Sequence, residues 1–175
     1  QINRINLIVT KLLQFAKPEE YAGFVERHSP GEVIGDCLPL VQHLLNKAEI
    51  EVARESRARR LILMNRTELQ QVVVNLMVNA LHAMPGSGTL TLIDEDFDRN
   101  GKPGIRISIR DTGTGMSSDI LGRIFDPFYT TKRREGTGLG LSISKTLIDR
   151  QGGAMAVESE PGKGTLFTIW LPEAD

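Results

Sequence analysis

Cysteine is nearly missing: Cys37 stands alone, so no disulfide can close within the chain and a cysteine-built zinc site is excluded. Neither sign of charge dominates. With 21 basic against 22 acidic residues, the net charge of −1 gives no electrostatic case for a nucleic-acid or anionic-membrane partner. No apolar run nears the ~18 residues needed to cross a bilayer, and Leu61-Ile62-Leu63-Met64 is the short kind that a buried strand supplies. An initiator Met and a signal peptide are also lacking, and the pattern is already under way at Gln1, as in a soluble, cytoplasmic piece of something longer. No repeat or low-complexity tract is visible. What remains is ordinary globular material: 175 residues, 40% apolar and 25% charged, enough for one domain and a tail. A domain of this size buries about 70% of its unfolded surface and needs no metal or disulfide to stand.

Residues 1–17 carry Ile2, Ile5, Leu12 and Phe15 at near-helical spacing up to Pro18, too short to be stable alone. A loop through His28 and Pro30 leads to a helical pattern over 31–48, with His43 on its surface, and then to a short strand near 50–52. The basic run Arg54, Arg57, Arg59, Arg60 reads first as a solvated face. From Thr67, the expected N-cap, to Met84 the period is strongly helical, and Pro85-Gly86 stops it. The period then switches to two: strands over 89–97 and 104–111 meet at the hairpin signal Asn100-Gly101. After an irregular Gly-rich stretch over 112–137, Leu139, Ile143, Leu147 and Ile148 mark a second helix, ended by Gly152-Gly153. A last hairpin pairs 154–159 with 165–171. Hairpins between separate helices predict an α+β two-layer sandwich, with a mostly antiparallel mixed sheet and helices on one face.

The 67–84 helix has an unusual second face. At 100° per residue, Glu68, Gln71, Asn75, Asn79 and His82 form one stripe. A solvated stripe favours Glu or Lys, and Asn costs roughly 0.5–0.7 kcal/mol relative to Ala in a helix, so two asparagines one turn apart suggest a polar ligand. Asp111-Thr112-Gly113-Thr114-Gly115-Met116 closes an alternating strand, either as a surface turn or as a carboxylate beside closely approaching backbone. Gly136-Thr137-Gly138-Leu139-Gly140 opens a helix, where converging amides and the helix dipole favour an anion. Its spacing fits neither the dinucleotide fingerprint nor the Walker loop. Lys132, four residues earlier in a long segment of lid-like length, is placed to reach a phosphate.

In this order the segments resemble the catalytic ATP-binding domain of sensor histidine kinases, within the wider family that includes type II topoisomerase ATPases. Asn75-Leu76-Met77-Val78-Asn79-Ala80 is similar to the N box, Asp111 to Gly115 to the first glycine box, Ile124 to Phe128 to the F box and Gly136 to Gly140 to the second glycine box. Gly162-Lys163-Gly164-Thr165 resembles the closing glycine motif. The Thr130-Thr131-Lys132 run and Asn79-Ala80-Leu81-His82-Ala83-Met84 are most similar to the nitrogen-regulation subgroup. Residues 1–17 look like the end of the second helix of a dimerisation and phosphoacceptor hairpin, 18–28 like a linker and 29–175 like the catalytic domain.

The resemblance implies ATP and Mg²⁺ as cofactors. Asp111 would accept from the exocyclic amine of adenine, with Thr165 beside it, while Gly113 and Gly115 let the chain close on the base. Asn79 would hold Mg²⁺ through its amide oxygen. Gly138, Leu139 and Gly140 would cradle the phosphates and Lys132 would neutralise the terminal one, with Met116, Phe128, Gly136 and Thr137 completing the contact set. His82 stands where many relatives carry Lys, so its charge depends on pH. Asn75 stands where hydrolysing relatives carry a Glu base, which suits phosphoryl transfer to an imidazole rather than to water. None of His28, His43 and His82 sits in a phosphoacceptor-like sequence, so the acceptor is expected upstream. The implied partners are that hairpin and a response-regulator receiver domain, for a monomeric piece of a homodimeric parent of the kind that a membrane can anchor. Two other readings stay open: a regulatory nucleotide-binding module without catalysis, and a protein-serine kinase of the same superfamily.

Overall fold

The computed structural model describes residues 24–129 and 140–175. Its elements run β1 (Val25–His28), α1 (Pro30–Cys37), a 3₁₀ turn (Leu38–Val41), α2 (Gln42–Leu45), β2 (Glu49–Ser56), β3 (Ile62–Asn65), α3 (Arg66–His82), β4 (Ser87–Asp96), β5 (Gly104–Asp111), α4 (Ser118–Leu121), α5 (Gly140–Arg150), β6 (Ala154–Glu160) and β7 (Gly164–Pro172).

Five strands form the main sheet in the order β2-β4-β5-β7-β6, with β2 parallel to β4 and every other pair antiparallel. Period-two alternation turns Leu90 and Leu92, Ile105, Ile107 and Ile109, and Phe167, Ile169 and Leu171 to one face. On that face they meet Val33 and Ile34 of α1, Leu69, Val72, Leu76 and Met77 of α3, and Ile143, Leu147 and Ile148 of α5 in one core. The fold is thus the expected two-layer α+β sandwich. The hairpin at Asn100-Gly101 also forms, both residues taking positive φ (53° and 77°) as a type I′ turn requires.

Several boundaries differ from the sequence reading. The N-cap of α3 is Asn65, not Thr67: Asn65 ends β3 with extended backbone, and its Oδ1 accepts from the Glu68 N–H at 3.0 Å. The pattern over 31–48 breaks into α1, a 3₁₀ turn and α2, because Pro39 has no N–H to continue the ladder. His28 does not lie in a loop; it ends β1, paired with Ile62 and buried. β1 itself falls inside the expected linker 18–28 and forms a two-stranded sheet with β3.

The basic run is structural and solvated. Arg54 donates to the Gly31 carbonyl, Arg57 pairs with Glu55, and Arg60 pairs with Asp98 at 2.6 Å. Gly31 and Gly35, one turn apart, leave α1 flat enough to accept Ser56 and Arg54: a Cβ on Gly31 would run into Ser56 Oγ, and one on Gly35 would crowd the Arg54 guanidinium. Cys37 at the end of α1 is buried, and burial, helped by the Asp36 charge, pushes its thiol up to about 11.

Candidate functional site

β5 carries Asp111 to the edge of the core. Its place opposite Leu90 and Thr165 keeps it on the inner face, where it is 5% exposed. Its Oδ1 accepts from Gly113 N–H at 2.8 Å, and the Thr165 N–H also reaches the carboxylate. Burial raises the carboxyl above the ordinary Asp range, while these two N–H groups pull it back down. No ion pair among the described residues offsets its charge.

The loop after Asp111 is pinned on three sides. Thr114 N–H donates to the Ala83 carbonyl (3.2 Å), Gly162 N–H to the Thr114 carbonyl (2.7 Å), and Met116 N–H to Ser159 Oγ (2.8 Å). A Cβ on Gly113 would run into the Ala83 backbone, and one on Gly115 (φ 69°) into the Glu160 carbonyl. The close approach these glycines permit is therefore, first, to the end of α3 and to the β6–β7 turn. Gly164 (φ 82°) likewise lets β7 pass the Asp111 carbonyl.

α3 forms the opposite wall. Asn75 Nδ2 donates to Ser144 Oγ at 3.3 Å, and a Cβ on Gly140 would run into the Asn75 amide. Asn75 thus holds the first turn of α5. Four residues further Asn79 follows, and four beyond it Ala83 holds the loop after Asp111; at 1.5 Å per residue each step is about 6 Å. Asn79 and His82, both half-buried, therefore lie between the start of α5 and the Asp111 loop. The stripe read from the sequence has one exception. Glu68 is buried in an ion pair with Arg150 (2.7 Å) at the far end of α3.

Gly140, the last residue of the glycine run, is the first described residue of α5. Lys132, Gly136, Thr137, Gly138 and Leu139 lie outside the described residues. Met116 packs against the core, and Thr165 is buried with its hydroxyl 2.8 Å from Ser159 Oγ. Phe128 is 65% exposed and takes φ 67°. Two polar residues escaped the sequence reading: Ser144, 1% exposed under Asn75, and Ser159. Ser159 had left a signal, since it continues the inward series Met155, Val157 of β6 with a hydroxyl. A separate open cavity of about 560 Å³ lies between α1 and β2. Its arginines are already engaged, Arg54 by Gly31 and Arg66 by Asp36.

A strand-end carboxylate, an asparagine-bearing helix and a helix-opening glycine meet around the second half of α3. Residues 64–175 match the family model described as histidine kinase-, DNA gyrase B- and HSP90-like ATPase. The sensor histidine kinase ZraS of Salmonella typhi is 36% identical over 98% of this chain, which spans 36% of its length. Among solved structures, the catalytic domain of histidine kinase ThkA superposes with a TM-score of 0.75 at 29% identity, covering 86% of this chain and 96% of its own. ThkA in complex with the response regulator protein TrrA gives 0.78 at 26% identity over 99% of this chain and 48% of its own. Full-length ShkA in complex with AMPPNP gives 0.81 at 28% identity over 98% of this chain and 36% of its own. No helix among the described residues is long and apolar enough to cross a membrane. The fold and these likenesses agree: this chain belongs to the family of histidine kinase-, DNA gyrase B- and HSP90-like ATPases.

Proposed function

We propose that the chain is the ATP-binding part of a protein histidine kinase, which hands the γ-phosphoryl of Mg-ATP to a histidine on a helical hairpin for relay to a response regulator. The observation that carries the reading is Asp111: a buried carboxylate with backbone N–H partners and no cation among the described residues, at the strand end beside α3. Such a group gains from a neutral donor that takes up its spare lone pairs, and the exocyclic amine of adenine is one. Asn79 would hold Mg²⁺ through its amide oxygen, and the ion would supply charge neutralisation for the phosphates. In this reading Gly138, Leu139 and Gly140 would cradle the phosphates and Lys132 would neutralise the terminal one, with His82, Met116, Phe128, Gly136 and Thr137 as the remaining contacts.

Asn75 decides between water and a protein acceptor. Its amide already donates to Ser144, and an amide takes no proton at neutral pH, so the chain supplies no base there for water. An imidazole needs none, because its neutral form is nucleophilic near pH 7. ThkA's complex with TrrA supports a receiver domain as the onward partner. Mixed with γ-labelled ATP and a separately made phosphoacceptor hairpin, the chain is expected to leave acid-labile, base-stable label on the hairpin and to release phosphate slowly when alone. Acid-stable label favours a serine kinase, and fast phosphate release refutes the role given to Asn75.

A further inference from the structure

We infer that Ser159 sets the base preference of the cleft by fixing the direction of the Thr165 hydroxyl. The inference rests on the nucleotide reading of Asp111 above. Ser159 Oγ has three polar neighbours: Met116 N–H at 2.8 Å, the Gly164 carbonyl at 2.9 Å and Thr165 Oγ1 at 2.8 Å. A hydroxyl owns one proton and two lone pairs. The Met116 N–H can only donate, so it takes one lone pair. The Gly164 carbonyl can only accept, so it takes the proton. Only a lone pair is left for Thr165, and Thr165 must therefore supply the proton of that bond.

With its proton committed to Ser159, Thr165 Oγ1 has only lone pairs to offer elsewhere. Thr165 lies directly opposite Asp111 in the antiparallel pair of β5 and β7, so the two side chains share a face. A carboxylate also only accepts. The wall formed by these two strand ends is then acceptor-only. Where it meets position 6 of a purine, it suits an amino group and opposes a carbonyl, which would set lone pairs against lone pairs. Asp111 alone disfavours the carbonyl; Ser159 closes the remaining escape, in which a free Thr165 hydroxyl would turn and donate to it. A glycine-rich turn and a strand-end Asp say nothing of this, because the polarity comes from a serine on the neighbouring edge strand.

The test is nucleotide titration of the 175-residue chain with ATP and ITP, triphosphates whose bases carry an amine and a carbonyl at the 6-position. Ser159→Ala is expected to narrow the preference for ATP over ITP by roughly five- to tenfold, mostly through tighter ITP binding. Ser159→Val, which continues the inward apolar series of β6, is the second variant and gives the same narrowing. Ser159→Thr keeps the hydroxyl and the wild-type ratio. In a Thr165→Val background, Ser159→Ala should leave the ratio unchanged, since no rotor remains to be freed. Equal weakening of both nucleotides, or the same narrowing without the Thr165 hydroxyl, reduces Ser159 to a packing role and overturns the inference. Asp111→Asn separates the two levels. If that change leaves ATP affinity intact, the nucleotide reading itself fails; if it removes binding while Ser159→Ala keeps the ratio, only the Ser159 inference does.

Discussion

Asp111 and Glu68 are buried to nearly the same depth, 5% and 6% exposed, yet the fold provides for them in opposite ways. Glu68 sits in the first turn of α3 and meets Arg150, in the last turn of α5, at 2.7 Å. Each charge suits the dipole of its own helix, and together they pin two antiparallel helix ends. Asp111 has two backbone N–H groups and no guanidinium. Glu68 is a carboxylate with a full cation on Oε1, although its buried Oε2 and Arg150 Nη1 lack hydrogen-bond partners among the described residues. A carboxylate held by N–H groups alone, with its carboxyl pushed up by burial, keeps capacity for an outside donor.

The widest consequence belongs to Asp111→Asn. ATP affinity should fall at least about a hundredfold in a titration, because the amide turns a donor toward the adenine amine where an acceptor is needed. Stability should move the other way. The folded-state pKa of Asp111 lies above its unfolded value, so the stability gained from its protonated form is complete at low pH and lost as pH rises through the raised value. A neutral Asn imitates the protonated form. The nucleotide-free variant should therefore melt higher than the wild type near pH 8, with the gain shrinking to nothing below the usual carboxylate range. A lower Tm across all pH would place Asp111 in the same class as Glu68.

Removing the other carboxylate should show the reverse. Glu68→Ala strands the Arg150 guanidinium and should cost about 3 kcal/mol in urea unfolding, with ATP affinity unchanged within a factor of about two. Affinity that falls together with stability would return Glu68 to the ligand stripe. A third buried carboxylate sharpens the scale. Asp94, 1% exposed, accepts from Ser56 Oγ at 3.0 Å and Ala58 N–H at 3.2 Å, tying β4 to β2 and to the chain beyond it. Asp94→Asn retains one acceptor oxygen, so denaturant titration should register only about 1 kcal/mol, with no change in nucleotide affinity.

Local pattern carried much of this molecule. The apolar face of α3 from Leu69 to Ala80, the alternation of β4 and β5, and Asn100-Gly101 are rules of spacing within a single element, and such rules survive folding. The order of the boxes pointed to the right family for the same reason. Contacts between distant parts left no such trace. Nothing near Glu68 announces Arg150, 82 positions away, so the helical wheel placed Glu68 with Asn75 and Asn79. β1 and β3 are four residues each, and Leu63 and Val25 stay exposed on them, so neither shows clean alternation. Asn65 is both the last residue of a strand and the cap of a helix, and the helical period alone pointed to Thr67 instead. Ser159 was hidden differently, since its importance lies in three partners that only the closed β6–β7 turn brings within reach.

The lone thiol at the end of α1 has an implication outside nucleotide chemistry. Attack on an oxidant or an electrophile requires the thiolate, and Cys37 is both buried and held protonated at any physiological pH. Thiol–disulfide exchange and thiol-directed electrophiles thus have no handle on the folded chain.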